Sequence, residues 1–198
     1  MGVDLEVHSV SKYLGGHSDL VAGIVAGRAE LVDRIYLQEH ALLGGKMAPF
    51  EGWLLTRSLR TFPMRMRIHQ ENALRIARFL EDHPAVTKVF YPGLKSHSQY
   101  SLGCAQMSGY SGLMSFHLNI DSEAAVRRFV NRLRLFQIGV SWGGYESLVF
   151  PPGLALKREL PSDRFREMGI SEALIRISVG LENPADLVAD LESALQSI

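Results

Sequence analysis

Two hydroxyls and an amine fall together at Ser9-Val10-Ser11-Lys12, just ahead of the glycine pair Gly15-Gly16. A serine hydroxyl can donate to a phosphate oxygen, and a lysine amine serves as a charge or, when neutral, as a nucleophile. Open α/β sheets place ligands beyond the ends of their strands, and this stretch ends an apolar run. Spacing alone equally admits a surface lysine between an edge strand and a Gly-Gly turn. A second candidate is Arg176, inside the apolar stretch 174–179. A guanidinium is costly there unless paired. Its planar fork can meet a substrate carboxylate, or it can pair with an acid of the chain such as Glu182.

Other patterns fail on their chemistry. Gly139-Val140-Ser141-Trp142-Gly143 matches the G-x-S-x-G elbow of a nucleophilic serine, which needs an acid and then a histidine downstream. The last histidine is His117, so that order is not met. Gly44-Gly45-Lys46-Met47 is no phosphate loop, because His40 holds the first glycine position and Met47 the hydroxyl position. The histidines and Cys104 show no metal-ligand spacing. Arg57, Arg60, Arg65, Arg67, Arg75 and Arg78 make the middle helices basic. Interleaved aromatics are few, and Glu71 and Glu81 interrupt the face, which points to a solvated or inter-subunit surface and no nucleic-acid partner.

The elements that carry these residues follow from periodicity. Leu5 and Val7 alternate with Asp4 and Glu6, predicting a strand over 3–10 with a second over 20–26. A parallel, buried strand so near Met1 needs neighbours from elsewhere. Helices are predicted over 29–43, from Pro49, and over 63–83, the last with Met66, Ala73, Ile76, Ala77 and Leu80 on one stripe. Strands are predicted over 86–91, 112–118, 136–140 and 174–179. Asp121 or Ser122 caps a helix to 133, and Asn183-Pro184 starts the final one. The order predicts a small α/β domain, helices on one face of a mainly antiparallel sheet, with the break near Pro63.

Composition narrows the class. At 46% hydrophobic and 21% charged residues, the 198-residue chain is globular rather than disordered. Basic and acidic residues balance at 21 each, so net charge draws it to neither nucleic acid nor anionic membrane. Cys104 is the lone cysteine, which excludes an intrachain disulfide and predicts a cytoplasmic setting. No apolar run is long enough to span a membrane.

Three stretches share one resemblance. The string from Ser9-Val10-Ser11-Lys12 through Tyr13-Leu14-Gly15-Gly16-His17-Ser18-Asp19 resembles the cofactor-lysine motif of the Cys/Met-metabolism family. These are the pyridoxal 5'-phosphate (PLP) enzymes of trans-sulfuration: cystathionine β-lyase, γ-lyase and γ-synthase, and methionine γ-lyase. Ser141-Trp142-Gly143-Gly144-Tyr145-Glu146-Ser147-Leu148 resembles the family's substrate-facing loop. Leu174-Ile175-Arg176-Ile177-Ser178-Val179-Gly180-Leu181-Glu182 resembles its carboxylate-binding strand. Pro49-Phe50-Glu51-Gly52-Trp53-Leu54 and Tyr91-Pro92-Gly93-Leu94 also look like family segments.

The resemblance implies an α/β fold, the C-terminal portion of a fold-type I PLP-dependent transferase. Residues 1–62 would be the tail of the PLP-binding large domain and 63–198 the small α/β domain. It implies Lys12 as the cofactor's tether and the base for the substrate's α-proton. Ser9 and Ser11 would bind the cofactor phosphate, Ser11 standing where threonine is common. Ser141 and Arg176 would bind the substrate carboxylate, with no metal. The implied reaction is β- or γ-elimination, or replacement, on a sulfur-containing amino acid. Trp142 resembles the cystathionine β-lyases more than the γ-enzymes. The family's aspartate under the ring nitrogen, its stacking tyrosine, its glycine-rich phosphate loop and a Tyr/Arg pair from the neighbouring subunit have no counterpart here. The expectation is therefore a C-terminal part that binds cofactor poorly alone and works as a homo-oligomer or with a separate N-terminal half. The alternative is a non-catalytic relic or an oligomerisation module.

Overall fold

The computed structural model describes residues 2–120 and 122–198, so Asp121, one of the two candidate caps, lies outside the described residues. The chain divides into two compact units, Met1–Pro63 and Met64–Ile198.

In the first unit, β1 (Leu5–Ser9) pairs antiparallel with β2 (Gly23–Gly27), Val7 facing Val25 and His8 facing Ile24. A wide helical turn, Val10–Leu14, follows β1. Helix α1 (Ala29–Ile35) runs through a second wide turn, Tyr36–His40, into α2 (Ala41–Leu43). Gly44, at φ +69°, ends it in the left-handed conformation that glycine adopts without strain. Helix α3 (Pro49–Leu59) starts on a proline, which has no N–H to leave unpaired, while the Ala48 N–H donates to the Glu51 carboxylate at 2.8 Å. The buried parallel strand expected at 3–10 is corrected. β1 is antiparallel, and Val7 is 76% exposed. Alternation selects a face of a strand but does not supply what covers it. Among the described residues the unit's core is Val10, Leu20 and Leu55, with Leu14, Ala22 and Met47 against them.

Helix α4 (Phe62–Glu81) leads into the second unit, which continues with β3 (Val86–Phe90), α5 (Tyr100–Gln106), β4 (Leu113–Leu118) and α6 (Glu123–Arg132). Ser122 caps α6, its hydroxyl accepting from the Ala125 N–H. Then come β5 (Gln137–Ile138), β6 (Leu148–Phe150), α7 (Pro152–Ala155), α8 (Ser162–Glu167), β7 (Leu174–Ser178) and α9 (Pro184–Leu195). The sheet order is β3-β4-β7-β6-β5, antiparallel except for the β5–β6 pair. Met114, Phe116, Ile175 and Ile177 point into a core shared with Ile76 and Leu80 of α4, Phe129 of α6 and Leu191 of α9. The alternate positions Ser115, His117, Leu174 and Arg176 fall on the sheet's other, partly buried face.

Segments 148–150, 152–155 and 162–167 are elements that no sequence expectation covered. Arg65, counted above among the solvated basic residues, is buried, and burial pushes its pKa down. Arg67 keeps to the surface and faces Glu71 at 4.0 Å. No helix among the described residues is long and apolar enough to cross a membrane.

Candidate functional site

The lysine turn belongs to the first unit. The Gly15 N–H donates to the Val10 carbonyl and the Gly16 N–H to the Lys12 carbonyl, each at 2.7 Å. Lys12 itself leaves helical geometry at φ −97°, ψ −132°, and its side chain is partly buried. The glycine pair has a physical reason. A Cβ on Gly15 would come within 2.7 Å of the Val10 oxygen, and Gly16 sits at φ +70°. The His17 Nδ1–H donates to the Gly15 carbonyl at 2.6 Å and lies 3.4 Å from the Ser58 hydroxyl, which ties α3 to the turn.

The two serines have different surroundings. Ser9, at the end of β1, is exposed. Ser11 turns to Ala22, its hydroxyl accepting from the Ala22 N–H at 3.0 Å and donating to the Ala22 carbonyl at 3.4 Å. That bonding fastens the turn to the segment leading into β2 and commits the Ser11 hydroxyl. A phosphate-bearing aldehyde such as PLP needs an amine for its carbonyl carbon and donors for its phosphate. Lys12 on the turn and the exposed hydroxyl of Ser9 at the strand end before it are groups of that chemistry, so the donor set fits, with Ser11 as a brace.

The carboxylate candidate belongs to the second unit. Arg176 lies on β7, opposite Ser115 of β4 and Phe150 of β6. Its Nη2 donates to the Val140 carbonyl at 2.6 Å and reaches the Ser141 carbonyl at 3.5 Å. The guanidinium carbon stands 4.8 Å from the Phe150 ring centre and 5.7 Å from that of Trp142. Burial pushes its pKa below the ordinary arginine value. The group still carries its charge at neutral pH.

Glu182 is not its partner. That carboxylate accepts from the Ser147 N–H at 2.7 Å and from the Ser147 hydroxyl at 2.9 Å, while the same hydroxyl accepts from the Gly180 N–H. Asn72 of α4 donates to the carbonyls of Gly180 and Glu182, and the His69 Nδ1–H to that of Val179, so α4 holds the chain where it leaves β7. On the facing loop the Gly143 N–H donates to the Ser178 hydroxyl at 3.2 Å, with Gly143 at φ +80°. Among the described residues no carboxylate forms an ion pair with Arg176, and no cluster of three metal-ligating side chains occurs.

The structure thus places Ser9 at the end of β1 and Ser11 and Lys12 on the turn that follows it, and brings Arg176 to the backbone of Ser141. Sequence reasoning missed Phe150. The only signal was the short apolar run Leu148-Val149-Phe150 ahead of Pro151-Pro152.

Comparison with known proteins adds the family. A profile described as Cys/Met metabolism PLP-dependent enzyme matches residues 1–196. Cystathionine gamma-lyase of Bacillus subtilis is 41% identical over 100% of this chain and 52% of its own length. L-methionine gamma-lyase of Pseudomonas deceptionensis is 44% identical over 100% of this chain and 50% of its own. The crystal structure of cystathionine gamma synthase from Xanthomonas oryzae pv. oryzae, in complex with aminoacrylate and cysteine, superposes with a TM-score of 0.92 at 41% identity. It covers 99% of this chain and 50% of that one. The chain spans about half the length of the curated relatives it matches. Over that span, it belongs to the Cys/Met metabolism family of PLP-dependent enzymes.

Proposed function

We propose that this chain carries the lysine turn and the carboxylate-binding strand of an enzyme that cleaves or exchanges a carbon–sulfur bond. Its substrate is an amino acid of the cystathionine, methionine or homoserine-ester type. The observation that carries the reading is the charge state around Arg176. Its positive charge is held by carbonyls and aromatic rings, and no ion pair to an acid of the described residues neutralises it. A guanidinium kept charged inside a sheet is matched to an incoming carboxylate.

PLP, when bound, supplies a sink for the electron pair left as the substrate's α-proton departs. Lys12 would hold the cofactor's carbonyl carbon through Nζ, and the same nitrogen would serve as the base for the substrate's α-proton. Ser9 donates to the phosphate. Arg176 holds the substrate carboxylate beside the Ser141 loop. Fixing the carboxylate restricts rotation of the Cα substituents, which a reaction at a single C–H bond requires. The tail of a PLP-binding domain over 1–62, the small domain over 63–198, and assembly as a homo-oligomer or with a complementary N-terminal half belong to the same reading.

The test is reductive trapping. The purified chain is mixed with PLP, treated with borohydride, and its peptides are weighed. The cofactor's mass on the peptide bearing Lys12, absent from Lys12→Ala, is the expected result. Cofactor mass spread over many lysines, unchanged in Lys12→Ala, overturns the assignment. Assays on cystathionine and methionine follow, in the presence and absence of the relatives' N-terminal half.

A further inference from the structure

Arg176 needs a fixed orientation, and the strand register shows what supplies it. β6 pairs with β7 so that Phe150 stands directly across from Arg176. Directly opposed residues on one face of a sheet have side chains within reach of each other. The Phe150 ring accordingly lies 4.8 Å from the guanidinium carbon, closer than Trp142 at 5.7 Å. At such distances the negative face of an aromatic ring attracts a cation and offsets part of its lost hydration.

From this we infer that Phe150 is the positioning residue of Arg176. Its ring takes the place of a counter-ion and holds the guanidinium plane in the orientation that receives a carboxylate. The inference rests on the carboxylate reading above.

Two kinds of anchor were open to this arginine. An acidic anchor would fix the fork and neutralise it, leaving less attraction for a substrate. A ring and a carbonyl fix it and leave the charge. Here, among the described residues, it is Nη2 that donates to protein acceptors, the Val140 and Ser141 carbonyls. One edge of the guanidinium is thereby tied down and one face braced. Among the described residues, no protein acceptor bonds the donors on Nε and Nη1, which leaves them for a ligand. Phe150→Leu keeps an apolar side chain of similar bulk and β6 packing but removes the π face. Phe150→Tyr keeps the face. The pair separates bracing of Arg176 from simple packing of β6.

The experiment follows the Arg176 Nε–H signal of the full chain by proton–nitrogen NMR, identified by its loss in Arg176→Lys. Without ligand, Phe150→Leu is expected to speed exchange of that proton with water by about five-fold and to remove its ring-current shift, while Phe150→Tyr stays within about two-fold of the parent. The second arm titrates L-methionine. Phe150→Leu is expected to need about five-fold more ligand, equivalent to about 1 kcal/mol, with Phe150→Tyr again close to the parent. Exchange and affinity in Phe150→Leu that match the parent overturn the inference. A parent chain whose Arg176 signal ignores methionine overturns the carboxylate reading instead, and the exchange arm alone then decides whether Phe150 braces the guanidinium.

Discussion

His69 shows how a single buried side chain makes the second unit sensitive to pH. It is fully buried on α4, with Nδ1–H donating to the Val179 carbonyl at 2.8 Å. Burial, with a smaller push from the charge of Arg65, lowers its pKa, while the carbonyl bond and Glu182 oppose the shift. The folded-state value therefore lies below the ordinary histidine value of about 6.5. The unfolded chain takes up the proton first. The contribution is whole above about pH 6.5 and is lost as pH falls toward the lowered folded value. His117 has the same sign, lowered by burial and by Lys88. Urea unfolding of the second unit should weaken as pH drops from about 7.5 to about 5, by at most about 1.4 kcal/mol per pH unit for each histidine. His69→Gln should flatten the slope, and adding His117→Gln should flatten it further. An unchanged slope in the double variant would show that other groups set the pH response. At this scale the sequence showed that a cation inside strand 174–179 needs a purpose. It did not show its surroundings, because Glu182 is near in sequence yet bonds Ser147, and Phe150 is distant in sequence yet faces Arg176.

Elements were legible where a pattern outlasts a turn or where a cap marks an end. The stripe of α4, the alternation of β4 and the Asn183-Pro184 start of α9 each carry several consistent residues. β6 has three residues and α7 has four, too few for a period to declare itself, and the register that brings Phe150 to Arg176 went unseen with them. The lysine turn is the opposite case. Its glycines are conspicuous in the sequence, but only the backbone shows that they differ. Gly16 takes a positive φ, whereas Gly15 is needed for the close approach of its Cα to the Val10 oxygen. Gly15→Ala must push that oxygen away and open the turn around Lys12. Reductive PLP labelling of Lys12 should drop by about ten-fold or more, since opening the turn costs on the order of 1–3 kcal/mol. Gly45→Ala, with nothing near its would-be Cβ, is the control and should label as the parent does. Equal labelling of the two variants would mean the turn's shape is irrelevant to the lysine's chemistry.

The two units differ in how much of their apolar surface they bury. In the second, the sheet and helices α4, α6 and α9 enclose large side chains that are wholly out of solvent, Phe116, Phe129 and Ile175 among them. In the first, Val21, Leu42 and Leu43 are each more than 80% exposed, and β1 and β2 form a sheet of two strands. Isolated two-stranded sheets are marginal in water, because cross-strand pairs alone scarcely offset the entropy of ordering the chain. Local opening should therefore be far easier in Met1–Pro63 than in Met64–Ile198. Hydrogen exchange of the isolated chain tests this without any cofactor. Amides of β1 and β2 should exchange at least about a hundred-fold faster than those of β4 and β7, a gap of about 2.7 kcal/mol in opening free energy. Adding the part of the relatives that this chain does not span should narrow the gap if that part packs on β1 and β2, since whatever binds only the folded form stabilises it by mass action. Equal protection in both units of the isolated chain would show instead that Met1–Pro63 is as firmly folded as Met64–Ile198.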